Sequence, residues 1–204
     1  MSGSQHTLHG SAPDTSPLAL LLIDVINDME FDQGARLLKQ ALPAARRIAR
    51  LKVEARRRGV PVIYVNDNFR RWRSDFKSLV RHCLEDGVTG EPIARLLTPD
   101  EEDYFVLKPK HSGFYSTSLG ILLDYLGAET LILTGFATEI CVIYTANDAY
   151  MRDYKLIVPR DCVGSETTAG RNYALAQMHR YLRADTRPFD PRRIFRGLKI
   201  KSGR

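Results

Sequence analysis

Cysteine is scarce in this chain. There are three, Cys83, Cys141 and Cys162, among 204 residues, and no two form a CxxC pair. An odd, small number without paired spacing argues against a disulfide framework and against a structural zinc site. Long apolar runs are also lacking: none approaches the roughly 20 residues that a membrane helix needs. Residues 1–16 are polar and have no apolar core of the kind a signal peptide carries. A cytoplasmic protein with no membrane partner is therefore expected. The HExxH, GxGxxG and Walker patterns are missing, which removes the metalloprotease, dinucleotide and P-loop readings they would carry. No internal repeat is visible.

Negative charge is in the minority. The formal net charge is +6, and the cations crowd into Arg46, Arg47, Arg50, Lys52, Arg56, Arg57 and Arg58, and into a tail from Arg192 to Arg204. No interleaved aromatics or nucleic-acid motif accompany them. The charge reads as a solvated helix face plus a basic tail, and nucleic acid is not an expected partner.

What is present alternates strand with helix. Leu18–Ile23 (LALLLI) is a short, continuous apolar run, as in a parallel strand buried on both faces. Residues 33–58 carry apolar residues at three- and four-residue steps with Arg and Lys between them, which predicts a long helix. Pro43 predicts a start or break within it. Residues 61–65 predict a second strand, 104–107 a third, 130–133 a fourth and 155–158 a fifth, with a weakly marked sixth at 184–187. Helices are predicted at 75–84, 92–97, 118–126, 138–151 and 166–182. That order belongs to a parallel sheet with helices on both faces, an α/β fold. Residues 1–16 read as a flexible leader, 17–190 as one domain and 191–204 as a basic C-terminal tail.

Asp24, Lys108 and Cys141 each fall directly after a predicted parallel strand. Parallel strands bring their carboxyl ends to one edge of the sheet, where ligands bind in open α/β folds. The residue types complement one another. A thiolate is the nucleophilic form of cysteine, and a carboxylate can take the thiol proton and later return it to a leaving amine. A lysine beside them lowers the energy of the negative charges. Cys141 is predicted in the first turn of a helix, where unpaired N–H groups and the macrodipole favour a thiolate. Each residue also has a structural reading: a turn acid, a solvated lysine, a small buried hydrophobe. Cys83 reads as buried beside a surface His82, and Cys162 as a residue that could line the pocket.

Three segments then stand in order: Leu21-Leu22-Ile23-Asp24-Val25-Ile26-Asn27-Asp28, Lys108-Pro109-Lys110-His111-Ser112-Gly113-Phe114 and Thr134-Gly135-Phe136-Ala137-Thr138-Glu139-Ile140-Cys141-Val142. Thr145-Ala146-Asn147-Asp148-Ala149 follows the third, and Asp161 follows the fifth strand. On these motifs residues 18–185 resemble the isochorismatase-like cysteine hydrolases, a superfamily that includes nicotinamidases and N-carbamoylsarcosine amidohydrolases. The resemblance implies a three-layer α/β/α fold with a six-stranded parallel sheet of order 3-2-1-4-5-6. It implies Asp24 as base, Lys108 as its charge partner and Cys141 as nucleophile. It also implies a cis peptide between Phe136 and Ala137, an oxyanion hole from the backbone N–H groups of Ala137 and Cys141, and a homo-oligomer. Substrate-binding candidates are Asn68, Phe69, Trp72, Phe114, Tyr115, Phe136 and Tyr144. Nicotinamidases carry Asp-x-His for a metal where this chain has Asn66-Asp67-Asn68, so no metal and no cofactor are expected and nicotinamide is disfavoured. The expected function is metal-independent hydrolysis of a C–N bond in a small amide or carbamoyl compound through a thioester. The alternatives are an isochorismatase-type ether hydrolase and a non-catalytic small-molecule binder on the same fold.

Overall fold

The computed structural model describes residues 15–68 and 75–200. Its centre is a parallel sheet. β1 (Leu18–Ile23), β2 (Val62–Asp67), β3 (Tyr104–Lys108), β4 (Thr130–Phe136) and β5 (Lys155–Ile157) lie in the order β3-β2-β1-β4-β5. β1 is central, paired in register from Leu20 to Ile23 with Val62 to Val65 and from Leu18 to Ile23 with Thr130 to Gly135. Burial on both faces explains its composition. Leu20 and Leu22 point into one apolar layer, and Ala19, Leu21 and Ile23 into the other.

The first layer packs beneath α1 (Gly34–Arg56), α2 (Phe76–Glu85) and α3 (Glu91–Leu96). The second packs beneath α4 (Leu119–Leu126), α5 (Ile143–Tyr150) and α6 (Thr168–Tyr181). This is the expected three-layer α/β/α architecture. The sheet differs in its sixth member. β6 is a two-residue strand, Val163–Gly164, paired with β4. The segment expected as the sixth strand makes a single parallel bridge, Ile157 to Asp185, beside β5. Its sequence supplies one buried apolar residue, Ala184, too little apolar surface to support a ladder.

Pro43 does not break α1. The helix runs through it because Ala41, Ala44, Ala45 and Ile48 are buried against the sheet on either side. That packing outweighs the roughly 3 kcal/mol a helix-interior proline costs. Lys52 is not on the solvated face. It is buried, bonded to the Tyr64 hydroxyl and the Thr98 carbonyl at 2.8 Å each, and paired with Asp103 at 3.0 Å and Asp100 at 3.1 Å. Residues 191–200 also depart from a solvated tail. α7 (Pro191–Ile194) is capped by Asp190, Ile194 and Phe195 are buried in the first apolar layer, and the Arg58 guanidinium lies 5.1 Å from the Phe195 ring centre. The compact unit therefore extends past residue 190. Among the described residues no helix is long and apolar enough to cross a membrane.

Candidate active site

β1, β3 and β4 end at one edge of the sheet, and each delivers one reactive residue there. Asp24 is the first residue beyond β1. Its N–H still donates to the Val65 carbonyl at 2.9 Å, but its φ of +51° turns the chain out of the sheet. Asp tolerates this left-handed region better than most side chains. Lys108 is the last residue of β3, opposite Asp67 in the ladder. It lies two strands from β1 and reaches past β2 with its full side chain. No loop carries it.

Cys141 follows β4 in a turn that is π-helical over Thr138–Val142, with α5 beginning at Ile143. A regular α-helix from Thr138 was the expectation. Here the Ala137 carbonyl accepts from both Ile140 and Val142 at 3.1 and 3.2 Å. The Phe136–Ala137 peptide is cis. Gly135 has φ +113°, and a Cβ on it would fall 2.0 Å from the Ile23 carbonyl oxygen. Only glycine lets β4 run this close to β1 in that conformation.

The three side chains converge. Lys108 Nζ is 2.8 Å from Asp24 Oδ2 and 3.6 Å from Cys141 Sγ. Asp67 joins them: its N–H donates to Asp24 Oδ1 at 2.7 Å, and its carboxylate lies 3.6 Å from Lys108 Nζ. Lys108 is wholly buried and Asp24 is 7% exposed, so these charges interact with little screening by water.

Burial pushes the Asp24 carboxyl above the usual carboxylate range, against the lowering pull of Lys108 and of hydrogen bonds from Cys141, Lys108 and Asp67. Burial alone would depress Lys108, but the attraction of Asp24 and Cys141 outweighs it and holds the ammonium above its ordinary value. For Cys141, burial and then Asp24 push the thiol up, with Lys108 opposing. The help that a helix start was expected to give a thiolate is outweighed by burial and by Asp24. The uncharged thiol is the resting form, because a low-dielectric site next to a carboxylate penalises a second anion more than one lysine compensates.

The other sequence candidates are placed differently. Asn68 is half-buried, with its N–H on the Lys108 carbonyl at 3.0 Å. Phe136 is buried in the first apolar layer and Phe114 in the second. The Phe114 ring sits 6.1 Å from Tyr154 and 4.7 Å from the Arg152 guanidinium. Tyr115 and Tyr144 are exposed, Tyr144 against His111 at 5.4 Å. Phe69 and Trp72 lie outside the described residues. Cys83 and Cys162 are fully buried in the first layer, so Cys162 lines no opening. Asp161 caps the approach of Phe189, accepting its N–H at 2.7 Å.

Sequence reasoning passed over Asp67, reading it as a poor lone metal ligand. Its place directly opposite Lys108 in the β2–β3 register is the signal that would have found it. Among the described residues no group of three or more His, Cys, Asp or Glu is arranged to hold a metal ion.

A model of the isochorismatase domain matches residues 18–185. The chain is 41% identical over 167 residues to the uncharacterized isochorismatase family protein YaaI of Bacillus subtilis, covering 82% of this chain and 91% of that one. It is 30% identical over 142 residues to the ureidoacrylate amidohydrolase RutB of Methylorubrum extorquens, covering 58% of this chain and 56% of that one. It is also 30% identical over 152 residues to the maleamate amidohydrolase of Pseudomonas putida, covering 72% of this chain and 71% of that one. Among solved structures, N-carbamoylsarcosine amidase from Thermoplasma acidophilum superposes with a TM-score of 0.67 at 28% identity, covering 85% of this chain and 96% of that one. With its sheet order, the convergence at one strand edge and a domain match over most of its length, the chain belongs to the isochorismatase family.

Proposed function

We propose that the protein is a cysteine amidohydrolase that cleaves the C–N bond of a small amide or carbamoyl compound without a metal. One observation carries the reading: the Lys108 ammonium lies 2.8 Å from Asp24 and 3.6 Å from the Cys141 sulfur, in a buried site at the carboxyl ends of three strands. Relatives named as amidohydrolases act on ureidoacrylate and maleamate, which supports amide chemistry as the class.

In the proposed cycle Sγ of Cys141 attacks the carbonyl carbon while Asp24 takes the thiol proton. Proton transfer and attack are coupled, since a free thiolate is disfavoured here. The backbone N–H groups of Ala137 and Cys141 receive the oxyanion. The C–N bond breaks as Asp24 returns the proton to the leaving nitrogen, and a thioester remains on Cys141. Asp24 next removes a proton from water, water attacks the thioester, and the thiol and the free acid are regenerated. Lys108 stays protonated throughout and offsets the charge that passes between Asp24, sulfur and oxygen. Nucleophile, base and charge partner are all side chains of this chain, so the cycle calls on no metal.

A panel of primary amides, N-carbamoyl amino acids and ureides, assayed for ammonia release, tests the class. At least one group should be turned over. Tight binding of panel members with no ammonia from any of them would contradict an amidohydrolase and favour a binding protein.

A further inference from the structure

Thr145 is fully buried in the first turn of α5. Its hydroxyl donates to the Cys141 carbonyl at 2.7 Å and accepts the Gly113 N–H at 3.0 Å. The first bond alone is commonplace, because helical threonines often bond back to the carbonyl four residues earlier. The second leaves the helix. It crosses to Gly113, in the loop that follows β3, and fastens that loop to the Cys141 backbone.

The same loop is fastened again one helical turn along. Ser112 Oγ donates to the Asp148 carboxylate and accepts the Phe114 N–H at 3.1 Å. Asp148 is three residues beyond Thr145 and so shares its face of α5. The loop is closely packed: a Cβ at Gly113 would fall 2.8 Å from Val65 Cγ1 of β2, 3.0 Å from Leu119 Cδ2 of α4 and 3.5 Å from Thr145 Cγ2 of α5.

We propose that Thr145 is a positioning residue for the reaction, whose hydroxyl sets the separation between Cys141 and Lys108. The inference rests on the cysteine-nucleophile reading above. Lys108 reaches the site from a strand two places away from β1, and its Nζ must lie within reach of a sulfur carried by a different element. Thr145 ties the Cys141 backbone, through one oxygen, to Gly113, five residues beyond the strand end that Lys108 occupies. Displacements of about 1 Å at reacting groups are enough to cost on the order of 100-fold in rate, so a hydroxyl that fixes this spacing acts on catalysis without touching substrate.

The probe is iodoacetamide, read by mass spectrometry of the Cys141 peptide across a range of pH. Cys83 and Cys162 are fully buried, so native alkylation reports Cys141. Sulfur bonds to the methylene carbon, iodide leaves, and the thiol proton passes to Asp24. In the wild type the rate should climb with pH as Asp24 ionises and then level off, because Asp24 and not hydroxide removes the proton. Thr145→Val should lose tenfold or more of the rate at pH 7.5 and replace the plateau with a steady rise. Thr145→Ser, which restores the hydroxyl, should stay within about twofold and keep the plateau. Ser112→Ala, which frees the same loop from Asp148, is measured beside them and should lose several-fold even if Thr145→Val fails to fold. Wild-type rate and profile in every folded variant would overturn the positioning role. A wild-type Cys141 that itself behaves as a free thiol, with no plateau, would overturn the nucleophile reading on which it rests.

Discussion

Lys108 is the residue on which the site's electrostatics turn. It is wholly buried with carboxylates 2.8 and 3.6 Å away. Lys108→Met removes the cation and leaves Asp24 buried beside Asp67 with no counter-charge. Breaking a buried pair from one side costs about 3–5 kcal/mol, and the loss should show both as a lower melting temperature and as a fall in turnover of at least 100-fold. Asp24 sets the pH dependence. It must be ionised to accept the thiol proton, and burial raises its pKa. Turnover should therefore be present above that raised value and disappear as the pH falls through it, at a pH higher than the ~3.9 of an ordinary aspartate. Lys108 is held protonated beyond its usual range, so an alkaline loss from its neutralisation should lie above pH 10.5. A pH–rate profile from about 3 to about 10 checks both limbs: it should contain the acid fall and show no alkaline fall at its upper end. An acid limb at or below the ordinary aspartate value would count against Asp24 as the base.

At the scale of elements, the approach of β4 to β1 places Cys141 next to Asp24. Gly135 permits that approach, and Gly135→Ala must move a Cβ away from a carbonyl oxygen 2.0 Å distant while holding φ at +113°. The conformation alone costs about 1–3 kcal/mol, and parting two central strands adds to it. The melting temperature should drop by roughly 10 °C for a chain of this size, and Cys141 should lose its reactivity with it. The glycine, the strand ends and the three reactive residues were all legible in the sequence, because in a parallel sheet a buried strand reads as an apolar run and its carboxyl end as the polar residue that stops it. Less legible were features that depend on partners distant in sequence. Asp67 acquires its role from the residue opposite it in β3. Thr145 meets a loop 32 positions earlier, through the Gly113 bond. The π-helical turn at 138–142 follows from how the Cys141 segment leaves β4, and no local propensity encodes it.

For the whole molecule, residues 191–198 carry the clearest departure from pattern. Residues 191–198 look like a basic tail because arginines dominate them. Yet Ile194 and Phe195 are buried and Leu198 packs against the same layer. Two apolar side chains among cations give too short a period to register as a core segment. Deleting residues 191–204 should lower stability by about 3–6 kcal/mol, from burial of those two side chains at about 1.5–3 kcal/mol each. Deleting only 201–204 should leave the melting temperature within a degree or two. Thermal melts of the two truncations decide this, and equal melting temperatures would return the segment to the status of a tail. The basic face of α1 was read too broadly for a similar reason, since Lys52 lies on the buried side and is satisfied by acids near β3.

The central claim is that Cys141 forms a covalent bond with the substrate. Its most direct measurement is ammonia release by the wild type and by Cys141→Ala on the compound from the amide panel that the wild type turns over fastest. The account predicts a loss of at least about a thousandfold, as expected when the nucleophile of a concerted catalytic group is removed, with the melting temperature little changed. Full turnover by Cys141→Ala would contradict it.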